Sequence, residues 1–206
     1  HQKLLVVSGE EGLVAFVGGF DIEPNRLADI QDLHVRGRGS AALQLHRVLR
    51  ERWQDHQTGV DVLQPVASKN LGAKRDVHVA VVRTYPNAAA HGGLGPAGPR
   101  PHAFAPGGAR THRATGLHAI QHASKFIYVE DQYLVSPRLA DAIAQVAPRL
   151  EFVLLLPCAD DAVDGELQQQ AGWRRKEFMR VASGNGGRVM AYSARGQFIH
   201  PKVWIF

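Results

Sequence analysis

Short, continuously apolar runs rich in β-branched residues recur along this chain, with helical patterns between them, and that alternation most constrains the fold. The runs are Leu4 to Val7, Leu13 to Val17, Val77 to Val82, Phe126 to Val129, Phe152 to Leu156, Val189 to Tyr192 and Phe198 to Phe206. A strand with one wet face alternates apolar and polar residues. These runs are mostly apolar throughout, which predicts strands covered on both faces. Ser40 is placed to cap a helix whose stripe carries Leu45, Val48, Leu49 and Trp53. Ser136 followed by Pro137 reads as a cap and first helical residue, leading to Leu139, Ile143 and Val146. A longer helix is expected over Val163 to Ala182. Strands interleaved with helices give the α/β class, with helices on both faces of a mixed sheet.

The stretch from Pro86 to Arg113 breaks this pattern. It is rich in Gly, Pro, Ala and His, has no acidic residue, and carries Arg100, Arg110 and Arg113. Such a composition cannot bury a useful core and reads as a flexible basic loop, a connector or a flap over an anionic substrate. It divides the chain into 1–85, the loop 86–113, and 114–206. With 206 residues, 45% of them hydrophobic, the chain suits one domain or two intimately packed halves. An opening at His1 rather than Met leads us to expect a fragment or a trimmed chain, whose flanks could hold any address, and no targeting signal is visible in the sequence itself. No apolar run approaches the roughly 20 residues that span a bilayer. The compartment is therefore open. The one cysteine, Cys158, excludes an internal disulfide and follows an apolar run, as a core residue would. A net charge of +5 and an isoelectric point near 9.7 favour an anionic partner. Charge alone does not choose among nucleic acid, an acidic membrane surface and a phosphate-bearing substrate.

Two histidine–lysine pairs carry the chemistry. His1-Gln2-Lys3 precedes one strand, and His200-Pro201-Lys202 lies in another. Residues two apart on a strand share a face, so each segment offers an imidazole beside an ammonium. With 11 histidines and six lysines, chance supplies about 0.3 such triplets, so two are informative where one is not. A phosphodiester resists water because it is anionic. Two lysines neutralise its non-bridging oxygens as charge builds there. One neutral imidazole attacks phosphorus to give a phosphohistidine, while the other, protonated, protonates the leaving oxygen. Neither a metal nor another cofactor is required by this scheme.

The resemblance extends beyond these pairs. The chain resembles the phospholipase D superfamily, whose H-x-K-x4-D motif occurs twice, the copies meeting across a pseudo-twofold axis. His1 and Lys3 fit the first copy, His200 and Lys202 the second. Gly18-Gly19-Phe20-Asp21 is similar to the family's G-[GS]-x-[ND] segment. The likeness continues through Asp32-Leu33-His34-Val35-Arg36-Gly37, Arg52-Trp53, Arg83-Thr84-Tyr85-Pro86 and Ile127-Tyr128-Val129-Glu130-Asp131-Gln132-Tyr133. It implies an α/β/α sandwich of two pseudo-symmetric halves, cut at both ends. It also implies that His1 is the nucleophile and His200 the general acid, although near-symmetry allows the reverse. Lys3 and Lys202 would clamp phosphate, and Asp21, Glu130 and Gln132 would orient the imidazoles, with Gly19 and Ser8 as further supporting positions. Two positions depart from the pattern. Ser8 stands where the first motif has its acid, and the second motif's acid falls one position past Phe206. Ser8 can hydrogen-bond but cannot stabilise an imidazolium by charge. Pro201 is awkward inside a central strand, having no N–H for the ladder, so a bulge or an edge is expected there.

The side motifs resemble the lipid-cleaving branch, which implies a phospholipid substrate, approached at a membrane surface. Rival readings are a nucleic-acid phosphodiesterase on the same scaffold, which the charge favours, and a binding module without turnover, suggested by Ser8. Three other signals weigh less. His118 and His122 sit four apart as zinc ligands can, but Ala119 replaces the Glu of a His-Glu-x-x-His motif. Gly92-Gly93-Leu94-Gly95 lacks both a preceding strand and a following Lys-Ser/Thr. Trp173 to Arg180 is an amphipathic basic stretch, ordinarily a solvated helix face.

Overall fold

The computed structural model describes residues 3–20, 30–56, 62–66, 77–85, 101–157, 166–192 and 198–206, with side chains described from Gly172 onward in the helix that spans 166–182. Among these residues the protein is mixed α/β. It divides into two compact units, one built mainly from residues 18–34 and 116–206 and the other from 2–17 and 35–115.

The second of these units holds β1 (Lys3–Gly9), β2 (Gly12–Gly18) and β4 (His34–Arg38) in one three-stranded sheet, in the order β1-β2-β4. A turn at Glu10 and Glu11 joins β1 to β2, with Gly12 taking a φ of 84° that favours glycine. Glu11 accepts hydrogen bonds from both Arg36 and Arg38, tying that turn to β4. Helix α1 (Gly39–His56) supplies Ala42 and Leu45 to a core with Leu13 and Ala15. It begins one residue before Ser40, at Gly39 with φ 65°, so Ser40 lies inside the helix rather than capping it. Leu45 and Val48 are buried as expected, while Trp53 is exposed. Residues 77–82 form no strand, contrary to expectation. Val77 and Val79 are exposed, and without a neighbouring strand or core to bury them their β-branched character decides nothing. The chain pairs only from β5 (Thr84–Tyr85), antiparallel to β6 (Ala109–Arg110).

The basic stretch expected as a loop is therefore structured in its later part. Residues 86–100 lie outside the described residues. From 101 onward, His102 and Ala103 both bond to Asp55 of α1, and β6 and the start of α2 (Thr111–His122) follow.

The first unit centres on a four-stranded sheet, ordered β11-β7-β8-β9. Strands β7 (Phe126–Asp131), β8 (Phe152–Pro157) and β9 (Val189–Ala191) are parallel, and β11 (Lys202–Ile205) runs antiparallel to β7. Helices α3 (Pro137–Val146) and α4 (Glu166–Ala182) make the crossovers that parallel pairing demands. Ser136 and Pro137 start α3 as expected, although the serine hydroxyl makes no cap bond. The 163–165 end of the helix expected over 163–182 lies outside the described residues. Ile127, Val129, Val153 and Leu155 are fully buried against Ile120, Ile143, Phe178 and Ala182 of the helices. At about 25 cal/mol per Å², burying each such side chain contributes roughly 1.5–3 kcal/mol. The alternate residues, Phe126, Tyr128, Phe152, Leu154 and Leu156, are half-buried. Full cover thus reaches one face of this sheet among the described residues.

Candidate active site

A short parallel pair brings distant residues together. β10 (Phe198–Ile199) lies beside β3 (Ile30–Gln31), with Phe198 opposite Ile30 and Ile199 opposite Gln31. The His200 N–H extends this ladder to the Gln31 carbonyl at 3.0 Å. One step further along each strand stand His200 and Asp32. Their side chains meet, His200 Nδ1 to Asp32 Oδ2 at 2.6 Å, with 10% and 2% of the two side chains exposed.

Both oxygens of Asp32 are engaged, since Oδ1 accepts the Leu33 N–H at 2.7 Å. An ionised carboxylate only accepts, so the Nδ1 proton belongs to the ring, and Nε2 is the nitrogen left for chemistry. No hydrogen bond engages Nε2 among the described residues. Gly18 and Gly19 make the close approach behind this carboxylate. A Cβ on Gly19 would lie 2.4 Å from Asp32 Oδ1, and one on Gly18 would lie 2.2 Å from the Leu33 carbonyl oxygen. Only glycine leaves that space.

Lys202 opens β11 in register with Asp131 of β7. Its ammonium donates to Gln132 Oε1 at 3.1 Å and to the His200 carbonyl. Gln132 is buried, so its amide is a fixed acceptor. Asp131 shapes the turn beyond the strand. Its Oδ1 accepts the Tyr133 N–H at 3.0 Å and the Leu134 N–H at 3.4 Å, Leu134 having a φ of 45°. Its Oδ2 accepts from Trp204 at 3.3 Å. Arg175 of α4 adds bonds to the Gln132 and Tyr133 carbonyls at 3.3 and 3.4 Å. The result is an imidazole with a free nitrogen and an ammonium two residues away, each anchored by a different element.

The remaining expected residues fall as follows. His1 and Asp21 lie outside the described residues, as do Cys158 and Gly92–Gly95, so the meeting of the two motifs is not part of what is described. Lys3 opens β1, and Ser8 is exposed on the same strand without a side-chain hydrogen bond among the described residues. Gln132 orients the lysine and not an imidazole. Glu130 accepts the Tyr128 hydroxyl and no histidine among the described residues; strand alternation turns it to the face opposite Lys202. That bond, then burial, raises the Tyr128 phenol above its ordinary value. Asp32 is the partner that sequence reasoning passed over. It stands in a segment already singled out for resemblance, but only the β3–β10 register shows which side chain it serves. His118 and His122 have ring centroids 4.1 Å apart, and no group of three or more His, Cys, Asp or Glu able to hold a metal occurs among the described residues.

No protein-family model matches this chain, and comparison with curated proteins finds no match. No helix among the described residues is long and apolar enough to cross a membrane.

Proposed function

We propose that this chain is the catalytic part of a phospholipase D-type phosphodiesterase that hydrolyses or transphosphatidylates phospholipids. The observation carrying the reading is the His200–Asp32 pair, buried and 2.6 Å long, with Lys202 held beside it. A carboxylate behind Nδ1 fixes the ring and favours the imidazolium that proton transfer creates. The resemblance of His1-Gln2-Lys3 to the first motif supplies the second imidazole.

In the first step a neutral imidazole nitrogen of His1 forms a bond to phosphorus and the bond from phosphorus to the head-group oxygen breaks. His200 gives its Nε2 proton to that oxygen. In the second step water, or an alcohol, forms the new P–O bond as the N–P bond breaks, and its proton returns to His200. Lys202 neutralises charge on the non-bridging oxygens throughout.

The test offers phosphatidylcholine vesicles and single-stranded DNA to the full chain without added metal. Lipid turnover abolished by His200→Asn is the expected result, with phosphohistidine at His1 detected by mass spectrometry. The net charge of +5 favours the alternative substrate, and DNA cleavage lost in the same variant would install that reading instead. Binding of either without turnover would leave a non-catalytic module.

A further inference from the structure

The outward face of α4 has no role in the site just described. Its inner face is fixed, with Phe178, Met179, Val181 and Ala182 packed on the sheet core. Its outer face carries Trp173, 69% exposed, with Lys176, Glu177 and Arg180 on the same side. Large aromatics left in water on a helix need an explanation, because tryptophan is ordinarily well buried. From Gly172 to Ala182 four cations, Arg174, Arg175, Lys176 and Arg180, stand against one carboxylate. Arg180 is satisfied by that carboxylate, Glu177, through both oxygens, and Arg175 is turned to the Gln132 and Tyr133 carbonyls. Arg174 and Lys176 are exposed and make no ion pair among the described residues. The link through Arg175 sets this end of the helix against Tyr133, itself 44% exposed and next in sequence to the glutamine that holds Lys202.

We infer that Trp173, Arg174, Lys176 and Tyr133 form a docking rim that seats the His200–Lys202 site on an anionic phospholipid surface. The inference rests on the lipid reading above. Tryptophan and tyrosine rings settle at the headgroup level, where an apolar body and a polar tip are both accommodated. Exposed arginine and lysine beside them meet the negative surface potential of an acidic leaflet. Single-stranded nucleic acid is instead tracked along a basic groove with bases stacked inside it, and an outward helix face offers no groove.

The experiment measures co-sedimentation of the full chain with phosphatidylcholine vesicles and with vesicles that also contain phosphatidylserine. Turnover of a soluble short-chain phosphodiester is followed in parallel. Wild type should prefer the acidic vesicles, and added salt should weaken it. Arg174→Gln and Lys176→Gln should each weaken that binding about fivefold, and Trp173→Ala about tenfold, on neutral vesicles as well. All three should leave soluble turnover at the wild-type level. Variants that bind acidic vesicles as wild type does would overturn the docking rim even if the enzyme is active. Loss of single-stranded DNA binding in these variants, with no vesicle binding in wild type, would overturn it in favour of nucleic acid. Vesicle binding that depends on these residues, with no turnover of any ester, would keep the rim and retire the catalytic reading.

Discussion

Replacing Asp32 by Asn is the most informative perturbation of this site. The two side chains are nearly shut off from solvent, so no water takes over the acceptor role when the charge is removed. Asparagine keeps the volume but offers one oxygen where the carboxylate uses two, so either Nδ1 or the Leu33 N–H loses its acceptor. What changes is the partner of Nδ1. If the amide oxygen accepts, a bond to a charged group worth about 1.5–3 kcal/mol becomes a neutral one worth about 0.5–1.5. A loss of about 1–2 kcal/mol of imidazolium stabilisation lowers the rate roughly 5- to 30-fold. If the amide N–H turns inward, the ring takes the other tautomer, and in a similarly built triad that inversion costs about 10⁴. The expected fall in kcat is therefore between about 5-fold and 10⁴-fold, with KM little changed, because the group acts on the transition state. Steady-state turnover of phosphatidylcholine, with circular dichroism to show that the variant is folded, makes the measurement. A folded Asp32→Asn protein within about twofold of wild type, on a substrate that His200→Asn cannot turn over, would refute the positioning argument.

Three further outcomes follow from single contacts. Gly19→Ala places a Cβ 2.4 Å from an oxygen that the Leu33 amide already fixes, so it should cost about 1–3 kcal/mol and lower turnover together, read by thermal melting and the lipid assay. His46 is buried on α1 with no partner for Nδ1 among the described residues, and burial, then the Arg50 charge one turn away, depresses its pKa below the ordinary 6.5. The unfolded chain then binds a proton that the folded one refuses, so stability is full above about pH 6.5 and falls as pH drops below it. The slope is at most about 1.4 kcal/mol per pH unit, and melting curves between neutral and acid pH should show it flattened in His46→Leu. Tyr85 keeps a buried hydroxyl without a partner among the described residues while its ring contacts His102 and Phe104, so Tyr85→Phe should raise stability by about 1 kcal/mol, roughly 2–4 °C in Tm.

What could be read from the sequence depended on where burial, rather than composition, decides the outcome. The runs at 126–129 and 152–156 became adjacent parallel strands because a helix-covered core demands apolar residues at Ile127, Val129, Val153 and Leu155. In the run at 77–82, Val77 and Val79 stay exposed while Val81 packs half-buried against the Leu13 core, and the run formed no strand. Ser40 was a sound capping residue by type, but Gly39 takes the left-handed turn that starts α1, leaving nothing for the serine to cap. At the site, the residue types of His200 and Lys202 suggested a proton carrier and a cation, whereas Gln132, expected beside an imidazole, holds the lysine. The pairing of His200 with Asp32 was not legible, because a register between two-residue strands 168 positions apart leaves no periodic trace.

Pro201 marks the point where the chain changes its pairing partner. Up to His200 the chain pairs with β3, and from Lys202 it pairs with β7. Residue 201 falls between two ladders, fully buried, where a backbone N–H would have no carbonyl due to it. An orphan buried donor costs about 1–3 kcal/mol, and proline removes the donor altogether. Proline also holds the residue before it in extended backbone, which keeps His200 in line with β3. The interruption that looked like a defect in a central strand is therefore what lets neighbouring residues belong to different sheets. The imidazole is fixed by Asp32 on one side and the ammonium by Gln132 on the other, with the His200 carbonyl accepting from Lys202 across the junction. Two groups anchored to separate rigid elements keep their spacing better than two on one flexible segment, and in the proposed mechanism proton transfer at phosphorus is sensitive to that spacing.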